Sequence, residues 1–502
     1  MRPSYCARIK RKTSKDEHAF TGKEIYTSLK ENPKLNLNDT IRLGVLFLGR
    51  ERPGFDPQWG SEMERKVKGF LESSPYQTFP QKAVNDSSLR EALTRCREED
   101  YDALVVLQTT MSDGRLAPIL AQQWENPLIL WATPERPEGP MISSNSLVGT
   151  HIFASTLRQL RRPFEIVYGD PSETRVRDEL HAAIRVSVAA RYLKSAKLGL
   201  IGYHAPGFID MHADPFDLNA AFGVQMHHFG LQELMDNAQA LSEEAVREDV
   251  ETVLGMGLPF EGITAEDLPP NSRLYLAMRQ MIEEESLDAL AVREWPELPN
   301  VMGHWPYLAI VRLTMEVCPT AMEGDADGAL SCLVGQMLGL GPAYLSDWLE
   351  HDRETITLWH MGNAPLDMCE PVGSQYGPQL AKHFNIPKPV VINANLKVGQ
   401  PVTLFRLWRC DGRYLLMAHD AETVSPKRHL LGTNGLVKIE DRNGYEWFDA
   451  LCHAGMPHHV AVFQGHHQKL LRRFARQANV EWVDGDVPRA TVARREDITG
   501  EG

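Results

Sequence analysis

TAMEGDADGALSCLVGQMLGLGPAYLSDWLEHDRETITLWHMGN, residues 320 to 363, changes character halfway along. Its first half sets an acid, Glu323, immediately before a small-residue helical pattern over 327–338. Its second half places another acid, Asp347, in a short strand-like segment. Burying a charge in apolar protein is costly unless it is paired or coordinated, so these two carboxylates suggest either a shared cation or a shared proton. A candidate third ligand lies near the C-terminus. There Gly455-Met456-Pro457-His458-His459-Val460 leads into an apolar run and then Gly465-His466-His467, a strand-then-helix pattern with imidazoles at its mouth.

Upstream of this segment, helical patterns alternate with short apolar runs. IRLGVLFL at 41–48 reads as a buried strand, and the loop after it carries Arg50 and Arg52, where α/β proteins commonly place ligands. Helices are expected over 61–73, 89–98, 146–160 and 173–193, with strands at 102–107, 128–131 and 164–168. The alternation predicts a mostly parallel sheet covered on both faces. KLGLIG at 197–202 opens a second series, with His204 just beyond its strand. Helices follow over 214–222, 232–237, 243–254 and 274–284, then a strand at 289–292 that ends in Arg293. Beyond about residue 355 the strand-like stretches 390–393, 401–409, 413–418 and 435–439 are separated by Gly, Asp and Pro, which suggests a small antiparallel, barrel-like domain. The expected fold class is therefore α/β: a basic arm (1–38), two doubly wound α/β domains (39–170 and 171–354) and a β-rich C-terminal domain (355–502).

Composition narrows the function classes. With 53 basic and 67 acidic residues the formal charge is −14, which argues against coating nucleic acid or anionic membranes, although local arginines can still hold an anionic small molecule. The seven cysteines are scattered without a C-x-x-C pair, as expected of free thiols in the cytoplasm. No apolar run reaches the length of a membrane span, and the basic N-terminus lacks an apolar segment behind it. The glycine pairs at 255/257 and 339/341 lack the third glycine and strand-before-helix context of a dinucleotide site. P-loop, zincin and nucleophile-elbow patterns are absent.

Four motifs in fixed order, Met322-Glu323-Gly324-Asp325, Leu345-Ser346-Asp347-Trp348, His360-Met361-Gly362-Asn363-Ala364 and Gly455-Met456-Pro457-His458-His459, resemble the L-fucose isomerase and L-arabinose isomerase family over residues 40 to 485. The resemblance implies metal ligands at Glu323, Asp347 and His459, with the two acids 24 residues apart as in that family. It also implies aldose–ketose isomerisation, in which a proton leaves the carbon beside a carbonyl, an enediol forms, and the proton returns one carbon away. A divalent cation, with Mn2+ suited to a mixed oxygen and imidazole set, would chelate both sugar oxygens. Glu323 and Asp347 are then the expected acid/base pair as well as ligands.

Two departures limit the substrate. His458 stands where L-fucose isomerases have Asn, and Asp347 where L-arabinose isomerases have Glu. Expected sugar contacts are His458, His360, Asn363, His204, Arg293, Arg50 and Arg52. Arginines past strand ends would suit a sulfonate tail, and members of the wider group isomerise the sulfosugar sulfoquinovose. The substrate is thus either a deoxy or pentose sugar of the L-fucose or arabinose type, or sulfoquinovose. The family further implies a homotrimer or homohexamer with shared active sites. A non-catalytic sugar-binding or sensor protein is the alternative.

Overall fold

The computed structural model describes residues 41–50 and 55–485. The expected arm at 1–38 and Arg52 lie outside the described residues. The first sheet is parallel and comprises β1 (Arg42–Leu48), β2 (Gln77–Ala83), β3 (Ala103–Gln108), β4 (Leu128–Ala132) and β5 (Glu165–Tyr168), in the order β2-β1-β3-β4-β5. β3 and β4 are buried along their whole length, as helices on both faces require of a central parallel strand. The sequence reading passes over β2 because Pro80 interrupts it. At a sheet edge that missing N–H costs little. Likewise the helix expected from 61 begins at Pro57, behind the N-cap of Asp56.

A second parallel sheet is built from β6 (Lys197–Ile201), β7 (Gln225–Phe229), β9 (Ala289–Val292) and β10 (Thr320–Ala321), ordered β10-β9-β6-β7. The two-residue strand β8 (Phe260–Glu261) pairs elsewhere. β7 escaped the sequence reading because it is a half-exposed edge strand with His227 and His228 in it, a pattern without an apolar run. β9 and β10 are adjacent and end together, which sets the residues after them side by side.

The remaining strands are β11 (Tyr344–His351), β12 (Thr355–His360), β13 (Gln379–Lys382), β14 (Pro389–Asn395), β15 (Pro401–Cys410), β16 (Arg413–Val424), β17 (Thr433–Ile439), β18 (His459–Gln464) and β19 (Glu481–Trp482). With β8 they form one sheet, and a further pairing of β16 with β17 closes β16-β15-β18-β11-β12-β17 into an antiparallel barrel. In this barrel β11 and β18 are neighbours, with Asp347 directly opposite His459.

The helix Ala326–Met337 is buried at every position, packed between the second sheet and the barrel. Its small residues permit that. A Cβ at Gly335 would sit 2.1 Å from the ring of Phe463 on β18. Just before the helix, Asp325 accepts two hydrogen bonds from the Arg406 guanidinium of β15, at 2.6 and 2.8 Å, and both side chains are fully buried. Leu407 N–H donates to Ser331 Oγ at 3.0 Å, and Tyr414 donates to Asp327 at 2.9 Å, so four hydrogen bonds tie this helix and its N-cap to the barrel wall.

Removing one partner of a buried ion pair strands the other charge, at a cost of about 3–5 kcal/mol. Arg406→Met is therefore expected to lower unfolding free energy by about that amount in urea titrations, whereas Arg409→Met, in the half-exposed pair with Asp217, should cost about 1 kcal/mol or less. Equal stability of the two variants would contradict the role given to the Arg406–Asp325 pair.

Candidate metal centre

Glu323 follows β10 with a left-handed backbone (φ 58°), and Gly324 continues the turn at φ 70°. Only glycine fits at 324, since a Cβ there would lie 2.0 Å from the Tyr203 carbonyl oxygen. A non-glycine residue held left-handed costs about 1–3 kcal/mol, and such strain gathers where a side chain must be aimed. Three hydrogen bonds fix the turn: Gly324 N–H to the Val292 carbonyl (3.0 Å), Ala205 N–H to the Glu323 carbonyl (2.8 Å), and Glu323 N–H to Glu294 Oε2 (2.6 Å). Glu294 itself follows β9, is fully buried, and accepts from the Tyr307 hydroxyl at 3.0 Å. Burial, followed by the nearby Glu323 charge, raises its pKa.

The barrel supplies the facing groups. Asp347 and His459 are a cross-strand pair, and such pairs hold their Cβ atoms about 4.5–5.5 Å apart. His459 Nε2 lies 3.3 Å from Asp347 Oδ1 and 3.5 Å from Glu323 Oε2. Its Nδ1 meets Asp325 Oδ2 at 2.9 Å, so the carboxylate that neutralises Arg406 also fixes this imidazole. His360, at the end of β12, puts Nε2 3.8 Å from Glu323 Oε1. His458 is more open, with Nδ1 2.7 Å from Asp210 and Nε2 3.8 and 3.9 Å from Glu323 and Asp347.

Burial alone would lower the His459 pKa, but the carboxylates of Asp325, Asp347 and Glu323 outweigh it and raise it to about 10. For Asp347, burial would raise the pKa, and the surrounding imidazoles, His459 foremost, bring it below the ordinary value. Two buried atoms that face each other, Glu323 Oε2 and His459 Nε2, have no hydrogen-bond partner. Donor atoms of Glu323, His360 and His459, and likewise of Asp347, His458 and His459, all lie within 4.8 Å of one another. Oxygen and imidazole donors with orphaned lone pairs, one imidazole braced by a carboxylate, fit a divalent cation.

Glu323, Asp347, His459, His458 and His360 thus come together. Asn363 is buried with its amide nitrogen donating to the Leu345 carbonyl at 2.7 Å, and its Oδ1 has no partner. His204 packs its backbone on Gly324, and its ring contacts Tyr203 and the Ala205 carbonyl. Arg293 is held by Glu297 at 2.5 Å. Arg50 lies elsewhere, 3.5 Å from Asp113 at the end of β1, in a cavity of about 400 Å³ with Lys82 and Thr109.

Sequence reasoning did not single out Glu294, Asp325, Arg406 or Asp210. Glu294 had a usable signal, since it follows a strand end as Arg293 does. The pair His466-His467 makes local contacts instead: His467 N–H bonds to Thr403 and Asp420, and the two rings meet the Ala421 and Gln464 carbonyls.

No protein-family model matches the chain. A sulfoquinovose isomerase of Alkalicoccus urumqiensis is 27% identical over 446 residues, covering 88% of this chain and 99% of the relative. That of Priestia megaterium is 26% identical, with 87% and 98% covered. An L-arabinose isomerase of Saccharophagus degradans is 22% identical over 355 residues, with 68% and 70% covered. Among solved structures, a periplasmic solute binding protein of Actinobacillus succinogenes with bound D-allose covers 55% of this chain and 82% of its own at 10% identity. Its TM-score of 0.17 is too low to carry an argument. At 26–27% identity over nearly the whole length of both chains, the sequence is similar to sulfoquinovose isomerases and, more distantly, to an L-arabinose isomerase, which fits the wider L-fucose and L-arabinose isomerase-like group and indicates an aldose–ketose isomerase.

Proposed function

We propose that this chain is a divalent-metal-dependent isomerase that interconverts the aldose and ketose forms of sulfoquinovose through a cis-enediol. The observation that carries the metal reading is the pair of orphaned donors, Glu323 Oε2 and His459 Nε2, 3.5 Å apart beside Asp347. The substrate reading rests on the relatives that match almost their full length under that name.

Glu323, Asp347 and His459 would hold the cation, Mn2+ by donor type, with His360 beside them. When bound it would polarise the sugar carbonyl and fix the two oxygens involved. The chain's own residues do the rest. Both carboxylates lie within 3.5 Å of one imidazole nitrogen and therefore border the same space. One takes the proton from the carbon bearing the hydroxyl and returns it to the neighbouring carbon, while the other passes the hydroxyl proton from one sugar oxygen to the other. Glu294, buried against the backbone of Glu323, keeps that carboxylate aimed. His458 and Asn363 bond sugar hydroxyls.

Exchanging Glu323→Gln or Asp347→Asn is expected to lower kcat by about 100-fold or more and to reduce bound manganese, read by elemental analysis after dialysis. Chelator-treated wild type should lose activity and regain it with Mn2+. Unchanged metal content and turnover in both variants would dispose of the assignment. In a panel of sulfoquinovose, L-fucose, L-arabinose and D-arabinose, the highest kcat/KM is expected for sulfoquinovose. A preference for a neutral sugar would remove the substrate while leaving the reaction class intact.

We further propose a homotrimer or homohexamer with shared active sites. Two exposed apolar groups support it: Ile209 and Phe216, 76% and 82% exposed, in and just after the turn that carries Asp210, and Met141 and Ile142, 71% and 57% exposed, in the connection between β4 and β5. Light scattering behind size exclusion should give three or six times the monomer mass, and Phe216→Asp should shift it downward. A monomeric wild type would exclude the assembly.

A further inference from the structure

Two adjacent imidazoles, His458 and His459, are wired alike. Each has Nδ1 on an aspartate, Asp210 at 2.7 Å for the first and Asp325 at 2.9 Å for the second. Each turns Nε2 toward the Glu323 and Asp347 carboxylates. They differ in burial. His459 is fully enclosed, whereas the His458 side chain is 35% exposed and open to a ligand. A carboxylate offers only acceptors, so Asp210 takes the Nδ1–H of His458 and leaves Nε2 as the nitrogen available beside the carboxylate pair.

The segment that carries Asp210 is built to hold it. It follows β6 and is tied to the Glu323 turn at one end, where Ala205 N–H donates to the Glu323 carbonyl. The Tyr203 hydroxyl meets His212 Nδ1 at 2.5 Å, bracing the segment across its base. Phe208 sets its ring edge-to-face against His458 at 5.2 Å, and buried Met211 anchors the short helical turn Ile209–Met211 that contains Asp210. One segment thus grips both the acid-bearing turn and the open imidazole, although Asp210 and His458 are 248 residues apart in the chain.

From this geometry, and resting on the isomerase reading, we infer that Asp210 is a positioning residue: it fixes the ring of His458 so that Nε2 hydrogen-bonds a sugar hydroxyl adjoining the carbons that exchange the proton. A hydroxyl both donates and accepts, so either state of Nε2 serves. The bond forms beside the reacting carbons and not at the far end of the sugar, so its loss falls on kcat more than on KM.

Asp210 is substantially exposed, so its replacement leaves no buried charge unpaired. Asp210→Asn, His458→Gln and the double variant would be assayed with sulfoquinovose in the Mn2+-loaded enzyme, with bound manganese measured on each. Expected are a kcat about 10–100-fold lower for Asp210→Asn with KM and metal content at wild-type levels, and a double variant no slower than His458→Gln alone. Wild-type kcat in Asp210→Asn, losses that multiply in the double variant, or loss of bound metal in Asp210→Asn would each overturn the inference. If wild type turns over none of the four sugars, it is the isomerase reading that fails.

Discussion

The Asp325 carboxylate is where the second parallel sheet, the barrel and the candidate centre meet. It takes both terminal nitrogens of Arg406 from β15 and the Nδ1 of His459 from β18, while its own backbone opens the buried helix Ala326–Met337. Desolvation would push this carboxyl toward its neutral form. The guanidinium and the imidazole reverse that and hold its pKa far below the usual carboxylate range. A buried ion pair is seldom worth much by itself, because desolvation offsets the attraction. Here its geometric consequence matters more, since it fixes the ring of His459 at the moment it joins sheet to barrel.

That junction explains why no single layer contains the centre. Parallel strands end together and present their following residues on one edge, which brings Glu294 and Glu323 side by side. Antiparallel strands instead present directly opposed residues, which brings Asp347 against His459. The helix between them is short of bulky side chains where it meets β18, so the two edges approach closely enough for Glu323 and His459 to come within 3.5 Å. A Cβ at Gly335 would instead run into the Phe463 ring of β18.

Much of this was legible from residue order. Acids in apolar surroundings and histidines at the mouth of an apolar run are local signals, and Glu323, Asp347, His458 and His459 gave them. What a linear reading misses is pairing across distance. Asp325 was visible in its motif, but its role comes from Arg406, 81 residues away in a strand that otherwise reads as apolar core. Asp210 sat in an unremarked loop for the same reason. Periodicity failed at β2 and β7, edge strands whose exposed faces carry Pro80 and two histidines in place of an apolar alternation. The arginines show the converse limit: a position just past a strand says that a side chain can reach a pocket, and in the fold Arg293 is committed to Glu297 while Arg50 stands at the end of the first sheet.

Charge bookkeeping around the centre points the same way as the orphaned donors. Four carboxylates, Glu294, Glu323, Asp325 and Asp347, converge in a mostly buried volume, and Arg406 balances Asp325. Glu294 is driven toward its neutral form by burial and by Glu323, and its contacts are a backbone N–H and a tyrosine hydroxyl. Glu323 and Asp347 then face three imidazoles, and each imidazole that stays protonated to balance them loses a lone pair that could bind anything else. A divalent cation held there would resolve that competition, because it would neutralise both carboxylates at once and leave the ring nitrogens free to donate their lone pairs.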